Sequence, residues 1–168
     1  MARARRHEAA FSDYVVASQD RLRRVAYALC GDWHLADDLL QEAFTKLYLA
    51  WPRLSADRDP DGYVRTTLVR TSIDAHRRRQ RRVPTVALGA GQDPAAAADT
   101  PLEERDALIT ALQELPEQQR KVVVLRHWLG LSVREAAVEL RISEGTVKSH
   151  SSRGLASLER VLAPQRHG

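Results

Sequence analysis

Apolar residues recur at intervals of three and four along most of the chain, which is the spacing of amphipathic helices. No stretch shows the alternation of apolar and polar positions that indicates a β-strand. We therefore predict an all-α protein with two small helical domains, at residues 1–83 and 102–168. Residues 84–101 contain three prolines and no helical stripe, so they are predicted to form a flexible linker between the domains.

The first domain is predicted to begin with two helices. The first runs from Phe11 to Cys30 and stops at Gly31, because glycine readily adopts the left-handed conformation that ends a helix. Asp32 can cap the second helix, and Pro52 ends it. One side of this second helix is acidic, and the other is a continuous apolar face: Leu35, Leu39, Leu40, Ala43, Phe44, Leu47, Tyr48 and Trp51.

A loop and a third helix complete this domain. Residues 53–62 are dense in the Asp, Pro, Ser and Gly that favour turns, so they are predicted to form a loop. The helix that follows begins at Tyr63 and buries Val64, Leu68, Thr71 and Ala75. Seven arginines are available to solvent on this helix: Arg65, Arg70, Arg77, Arg78, Arg79, Arg81 and Arg82.

The second domain is predicted to contain four helices. The segment "LEERDALITALQEL" forms the first, and Pro116 begins another that runs to about Trp128, where Gly130 closes it. Ser132 and Ser143 can each cap one of two further helices. The last helix is predicted to turn five residues inward: Val147, Gly154, Leu155, Leu158 and Leu162.

The last two helices, joined by a tight turn, predict a helix-turn-helix. Four polar residues of the final helix share one outward face: Lys148, Ser149, Ser152 and Arg153. Long basic side chains reach phosphates or guanine edges, and short hydroxyls fit beside the wall of a DNA groove. The pattern therefore favours DNA binding, and its alternative interpretation is the solvated face of a helix that packs on the core.

Composition and charge agree with a folded protein that has an acidic partner. Of the 168 residues, 43% are apolar and 29% are charged, and the formal charge is +4 with a pI near 9.6. The apolar runs are short, and the first residues lack the apolar centre of a signal peptide. We therefore expect a cytoplasmic protein without a membrane segment.

The residues of enzyme and metal sites are not found in the usual patterns. The six histidines show no metal-ligand spacing, and Cys30, the single cysteine, is interpreted as a buried small apolar residue rather than a redox or metal group. Neither a phosphate-binding loop nor a nucleophile elbow occurs in the sequence. We expect no catalytic activity, no cofactor and no metal.

Two long segments resemble bacterial sigma factors. The segment "LPEQQRKVVVLRHWLGLSVREAAVELRISEGTVKSHSSRGLASL" closely resembles the region that reads the promoter minus-35 element. The segment "AYALCGDWHLADDLLQEAFTKLYLAWPRL", followed by "DPDGYVRTTLVRTSIDAHRRR", is similar to region 2 of the extracytoplasmic-function (ECF) sigma factors, particularly the actinobacterial kind. The resemblance covers about residues 8–163 and implies an alternative sigma factor, a subunit without catalytic activity that directs core RNA polymerase to a class of promoters.

The resemblance also implies which residues contact promoter DNA. In the second domain, the minus-35 element would be read as duplex by Lys148, Ser149, Ser152 and Arg153, with Thr146 and Arg134 on phosphates. His150, Ser151 and Ser152 depart from the common family pattern, so the base preference stays open. In the first domain, the melted minus-10 strand would be bound by a loop at 54–62 and the third helix, through Asp59, Tyr63, Arg65, Thr66, Arg70, Arg77 and Arg78.

Two of these minus-10 assignments have alternatives. Tyr63 is either a stacking group for a base or a core residue at the start of a helix. The arginines from 77 onward either track phosphates or form a soluble helix end, where cations also interact favourably with the helix dipole.

The partners implied by the resemblance are core RNA polymerase and promoter DNA. Asp38, Gln41 and Glu42 would dock on the clamp helices of the largest polymerase subunit, and the flap of the second-largest subunit is a further contact. An anti-sigma factor is a partner that the family commonly has. The acidic linker either is a simple tether or occupies the path of RNA in the polymerase.

Two other classes of function remain as alternatives at this point. A repressor or activator with a helix-turn-helix would bind duplex DNA as a dimer without being a polymerase subunit. A metal-free nuclease would turn over nucleic acid without any partner.

Overall fold

A computed structural model of the chain describes residues 1–54, 59–82 and 103–163, with backbone alone at 103–106. All regular structure in these ranges is helical, which confirms the all-α prediction. A short 3-10 turn at Trp51–Arg53 follows the second helix, and a π-helical segment at Val124–Trp128 continues the fifth. The α-helices are α1 (Ala2–Cys30), α2 (Trp33–Ala50), α3 (Pro60–Arg82), α4 (Glu103–Gln113), α5 (Glu117–Val123), α6 (Val133–Leu140) and α7 (Glu144–Leu162).

The chain divides into two compact units, Met1–Val83 and Pro84–Gly168. The first unit packs α1, α2 and α3 around one core, to which each helix contributes a leucine without solvent exposure: Leu22, Leu47 and Leu68. Gly31 ends α1 at a φ of 73°, and the Asp32 carboxylate caps α2 by accepting hydrogen bonds from the backbone of His34 and Leu35. The predicted linker at 84–101 lies outside the described residues.

Two helices begin earlier than the sequence pattern predicts. α1 starts at Ala2 rather than Phe11. Residues 2–10 are exposed except for half-buried His7, so helix-forming Ala and Arg extend the helix without an apolar stripe to mark it. α3 starts at Pro60 rather than Tyr63, because the Asp59 carboxylate accepts hydrogen bonds from the backbone of Asp61 (3.0 Å) and Gly62 (3.2 Å). Asp61 and Gly62, predicted in the loop, are therefore helical.

Three residues predicted to be buried are more exposed. Tyr48 and Leu155 are 49% and 40% exposed, because both lie at the edges of surface grooves described below. Cys30 is half-buried, packs against the core of the first unit, and donates its thiol to the Asp32 carbonyl at 3.2 Å.

The second unit packs α5, α6 and α7 around Val122, Leu125, Ala136 and Val147, none of which is exposed. Ser132 forms a capping box at the start of α6: its hydroxyl accepts from the Glu135 backbone, and the Glu135 carboxylate accepts from the Ser132 backbone. The predicted helix at 116–128 is instead α5 and the π-helical segment in series. The caps predicted at Ser132 and Ser143 are confirmed.

α5 and α7 pack closely together at Gly154. A Cβ placed on Gly154 would lie 2.5 Å from Cγ2 of Val123, well inside contact distance, and 3.5 Å from the Gln119 carbonyl oxygen. Gly154 is buried in the middle of α7, where glycine has the lowest helix propensity apart from proline. Its presence there is explained by the helix contact, which no larger residue allows without displacement.

We predict that Gly154→Ala destabilises the protein by about 1–3 kcal/mol, the usual cost of overpacking a core. Urea unfolding followed by circular dichroism measures the change. Gly145→Ala is the matched control, because Gly145 is exposed in the same helix and an added Cβ would come no nearer than 3.9 Å to Ser143. The control is expected to stabilise by up to about 1 kcal/mol, and equal effects of the two substitutions would contradict the contact.

Candidate nucleic-acid and protein interfaces

The turn between α6 and α7 presents the last helix at the surface. Arg141 ends α6 in the left-handed conformation, at φ 54° and ψ 47°. The Ile142 backbone then donates to the Ala137 carbonyl at 3.1 Å, which closes the helix end. Ser143 accepts from the Thr146 backbone at 3.0 Å and starts α7. These bonds complete a helix-turn-helix.

Four predicted DNA-binding residues form what we call the reading face of α7: Lys148, Ser149, Ser152 and Arg153. Lys148, Ser152 and Arg153 are exposed, and Ser149 is half-buried. Their spacing of one, four and five residues keeps them on one side of the helix. Val147 and Gly154 occupy the opposite, buried side.

The two other predicted minus-35 residues differ in their surroundings. Arg134 is exposed on α6. Thr146 is half-buried, and its hydroxyl lies 2.8 Å from the Ser143 hydroxyl, with which it shares a hydrogen bond. Thr146 therefore contributes to the helix cap as well as lying beside the reading face.

Of the three positions where the sequence departs from the family pattern, Ser152 belongs to the reading face, whereas His150 and Ser151 lie outside it. The Ser151 hydroxyl lies 2.8 Å from Nε2 of His127, in the π-helical segment. His150 is half-buried, and its Nδ1 is a buried atom without a hydrogen-bond partner in the described parts of the chain. The sequence pattern did not predict the contact between His127 and Ser151, because the two residues lie 24 positions apart.

An apolar groove of about 360 Å³ opens on the second unit. Leu155, exposed on α7, forms one edge, which explains why an apolar residue of this helix is not buried. The groove is lined by α4, α5, the π-helical segment and α7, chiefly through Leu108, Leu112, Val123, Trp128, Leu155 and Leu158.

The predicted polymerase-binding residues of α2 are all exposed: Asp38, Gln41 and Glu42, here called the acidic face. Glu42 forms an ion pair with Lys46 at 2.8 Å, and the neighbouring Asp37 is paired with Arg23 of α1. A second apolar groove, of about 420 Å³, runs beside the acidic face, with Gln41 on its edge. Its apolar lining comes from α1 and α2: Phe11, Val15, Leu40, Phe44 and Tyr48.

The predicted minus-10 residues lie on α3 and at its start. Thr66, Arg70 and Arg78 are exposed, whereas Arg65 and Arg77 are half-buried and lie in ion-pair distance of Asp59 and Asp74. Asp59 itself is the cap of α3, so its carboxylate has a structural function. Loop residues 55–58 lie outside the described residues.

Tyr63 is half-buried and packs against the core, and its hydroxyl donates to the Lys46 carbonyl at 3.4 Å. These are the contacts of a core residue at the start of a helix, which is the alternative that the sequence left open for Tyr63. Part of the Tyr63 side chain remains exposed.

The start of α3 is joined to α1 by a link that the sequence pattern did not predict. One oxygen of the Asp61 carboxylate accepts from the Tyr14 hydroxyl at 2.7 Å and from Arg21 at 2.8 Å. Burial tends to raise the pKa of Asp61, but the hydrogen bonds from Arg21 and Tyr14 outweigh it, and the pKa lies below its ordinary value of 3.8. Burial and the bond to Asp61 raise the pKa of the Tyr14 phenol.

Among the described residues, no helix combines the length and apolar character needed to cross a membrane. The same residues contain no group of three or more His, Cys, Asp or Glu side chains placed to hold a metal ion.

Comparison with known proteins identifies the family. A sequence model described as Sigma-70 region 2 matches residues 15–82, and one described as Sigma-70, region 4 matches residues 105–158. The chain is 39% identical over 156 residues to the RNA polymerase sigma-E factor of Streptomyces avermitilis, covering 90% of this chain and 84% of that protein. It is 31% identical over 144 residues to the ECF RNA polymerase sigma factor SigM of Mycobacterium tuberculosis, covering 84% and 71% respectively.

The fold is also that of a solved sigma factor. The structure of the sigma factor RpoE in complex with the anti-sigma factor NepR from Bartonella quintana matches with a TM-score of 0.60 and 23% identity, over 92% of this chain and 97% of that chain. The chain belongs to the ECF group of the sigma-70 family of bacterial RNA polymerase sigma factors. It is thus an alternative sigma factor, a regulator that directs transcription rather than an enzyme, and the resemblance seen in the sequence is confirmed.

We predict that Asp61→Asn lowers the free energy of unfolding by about 1–2 kcal/mol at pH 7, since it weakens hydrogen bonds to a charged group. Because the folded-state pKa lies below the unfolded value, the stabilisation is complete above about pH 4 and is lost as the pH falls below 3.8. The difference between wild type and variant should therefore shrink on acidification, which urea unfolding at pH 3 to 7 measures.

Asp13→Asn, at an exposed position of α1, is the control for the loss of one carboxylate. A difference between wild type and Asp61→Asn that stays constant down to pH 3 would contradict the ionised link.

Proposed function

We propose that this sigma factor reads its promoter in two physical forms. The second unit binds the minus-35 element as duplex, and the first unit binds the minus-10 element as an unpaired strand. Because the captured bases can no longer pair, binding of the strand stabilises the melted DNA. Promoter recognition and melting are then one process on the surface of the polymerase, in the cytoplasm.

The observation that carries the minus-35 part is the composition of the reading face. Lys148 and Arg153 are exposed cations on α7, separated by the short side chains of Ser149 and Ser152. A helix of this kind can enter the major groove, where a long cation reaches guanine or phosphate and serines avoid a clash with the groove wall. Arg134 on α6 is suited to a phosphate at the edge of the same groove.

The minus-10 part is supported by the excess of cations along α3. Arg70 and Arg78 are exposed along the helix together with the uncharged Thr66, and Arg79, Arg81 and Arg82 are exposed in its last turn. Cations in this arrangement follow a single-stranded phosphate backbone without distinguishing bases. Base contacts would come from the start of the helix, where Arg65 and the exposed part of Tyr63 lie.

The acidic face and the two grooves are proposed as protein-binding surfaces. Asp38, Gln41 and Glu42 lie beside an apolar groove, a combination suited to basic helices such as the clamp helices of the largest polymerase subunit. The groove lined by Leu155 is suited to the flap of the second-largest subunit, because it offers an apolar surface beside α7. The similar fold of a sigma factor solved with an anti-sigma factor supports a regulator of that kind here.

Run-off transcription with purified core polymerase and a genomic promoter library tests this function. Initiation above the level of core polymerase alone is expected, at a defined set of promoters. Failure of the folded chain to support initiation would reject the proposal. Binding of a palindromic duplex by a dimer without polymerase would instead favour the repressor or activator.

We predict that the double variant Lys148→Ala, Arg153→Ala lowers the affinity of the holoenzyme for a minus-35 duplex by about 30-fold or more, since two base contacts are removed and each contributes about 1–3 kcal/mol. Fluorescence anisotropy at fixed salt measures the affinity. Arg160→Ala is the matched control, because Arg160 is exposed in the last turn of the same helix. Loss of core binding in the double variant, or an equal loss in the control, would mean that the reading face is assigned wrongly.

We predict that Asp38→Ala, Glu42→Ala weakens binding to core polymerase at least about tenfold, since charged pairs at an interface commonly contribute 1.5 kcal/mol or more. The folded chain should keep its stability, because both side chains are exposed. Competition with a labelled wild-type chain for limiting core polymerase measures the change. The control Asp13→Ala, Asp20→Ala removes the same charge from exposed positions of α1, and an unchanged affinity in the α2 variant would contradict the acidic face.

A further inference from the structure

Tyr14, to which the sequence pattern assigned no function, contacts both ends of the segment that connects α2 to α3. Its ring lies 5.8 Å from the ring of Trp51, where α2 ends. Its hydroxyl donates to Asp61, in the first turn of α3, at 2.7 Å. The half-buried side chain of Tyr14 therefore contacts residues at both ends of this connection.

The α2 end of the connection is held firmly. Trp51 also contacts Phe11 of α1 edge to face, with ring centroids 5.4 Å apart. The Leu54 backbone donates to the carbonyls of Ala50 (3.1 Å) and Trp51 (3.2 Å), which keeps the 3-10 turn closed. The chain therefore leaves α2 at a position set by two aromatic rings of α1.

The α3 end is held by charge as well as by the Tyr14 hydroxyl. Arg21 lies 2.8 Å from each oxygen of Asp61, so the carboxylate is fixed by two residues of α1. One residue earlier in α3 is Pro60, and before it Asp59 caps the helix and lies 3.5 Å from Arg65. The position of the first turn, with Tyr63 and Arg65 following directly, thus depends on Asp61.

We infer that Tyr14 is a positioning residue for recognition of the minus-10 strand. It sets the distance between the end of α2 and the first turn of α3 before DNA arrives, so that the base-contacting groups meet the strand in one fixed arrangement. Preorganisation of this kind lowers the entropic cost of binding. It also improves discrimination among DNA sequences, because a base-contacting group that is displaced contacts the wrong base as readily as the right one. The inference rests on the proposed function of the first unit.

A tyrosine that only stabilises the fold would behave differently. Its loss would lower the fraction of folded chain, and binding of every strand would decrease by the same factor. Loss of a positioning residue should weaken the promoter strand selectively, since the arginines along α3 still hold any phosphate backbone. The ratio of affinities for a promoter strand and a scrambled strand therefore separates the two functions.

The experiment uses holoenzyme made with wild type or Tyr14→Phe, and single-stranded minus-10 oligonucleotides from a promoter found by run-off transcription. Tyr14→Phe keeps the ring on Trp51 and removes the bond to Asp61. Affinity for the promoter strand is expected to fall about three- to tenfold, less than the full effect of losing a hydrogen bond to a charged group, because Arg21 still binds the Asp61 carboxylate. Affinity for the scrambled strand, for core polymerase and for the minus-35 duplex should not change.

Two further variants keep the test decisive. Arg21 is half-exposed and binds the same carboxylate. Arg21→Gln weakens this interaction and should likewise reduce the discrimination between the promoter strand and the scrambled strand. Tyr27→Phe is the control, because Tyr27 is a half-buried tyrosine of the same helix whose ring stacks on Trp33 at 3.9 Å instead. The inference would be overturned if Tyr14→Phe discriminated between the two strands as well as wild type does, or if it lost affinity for both strands equally. No preference for the promoter strand by the wild-type holoenzyme would reject the proposed function instead.

Discussion

The presentation of the reading face depends on how closely α5 and α7 pack at Gly154. With no Cβ at this position, the backbone of α7 comes within contact distance of Val123, and one side of the helix is buried against the unit. The helix cannot rotate about its axis without losing this contact. Packing on the opposite side of the helix therefore keeps the reading face directed outward. Its exposed residues, Lys148, Ser152 and Arg153, contribute little to this packing themselves.

The first unit also carries two distinct surfaces. They lie on α2 and α3 and differ in charge. The exposed side of α2 is acidic at Asp38 and Glu42, whereas most of the charged residues exposed on α3 are arginines. Burial of the shared leucines fixes the direction of each surface. An acidic surface and a basic surface can thus lie on one small three-helix unit without neutralising each other.

Local signals made much of this fold predictable. Asp32, Ser132 and Ser143 cap helices where a side chain acceptor precedes an apolar stripe, and the buried stripes of α2 and α3 follow from spacing alone. The first nine residues of α1 were missed because Ala and Arg form a helix there without burying a face. The start of α3 was placed late because Asp59 and Pro60 also occur in loops.

Contacts between distant polar residues could not be predicted in this way. The bond from Tyr14 to Asp61 spans 47 positions, and the contact of His127 with Ser151 spans 24. Neither contact produces a periodic pattern in the sequence, because a single hydrogen bond needs only two residues. Leu155 was expected inside since a helical stripe cannot distinguish a core from an apolar groove. Periodicity placed the four residues of the reading face on one side of α7, whereas the other candidate DNA contacts came from the resemblance to sigma factors.

In the function proposed above, one unit of the chain reads duplex DNA and the other reads unpaired DNA. Permanganate footprinting of a promoter bound by holoenzyme tests it most directly, combined with hydroxyl-radical footprinting of the same complex. We expect reactive, unpaired thymines at the minus-10 element and a protected duplex at the minus-35 element, both only when core polymerase and the chain are present together. Protection of both elements as duplex, or an equal footprint from the chain without polymerase, would contradict it.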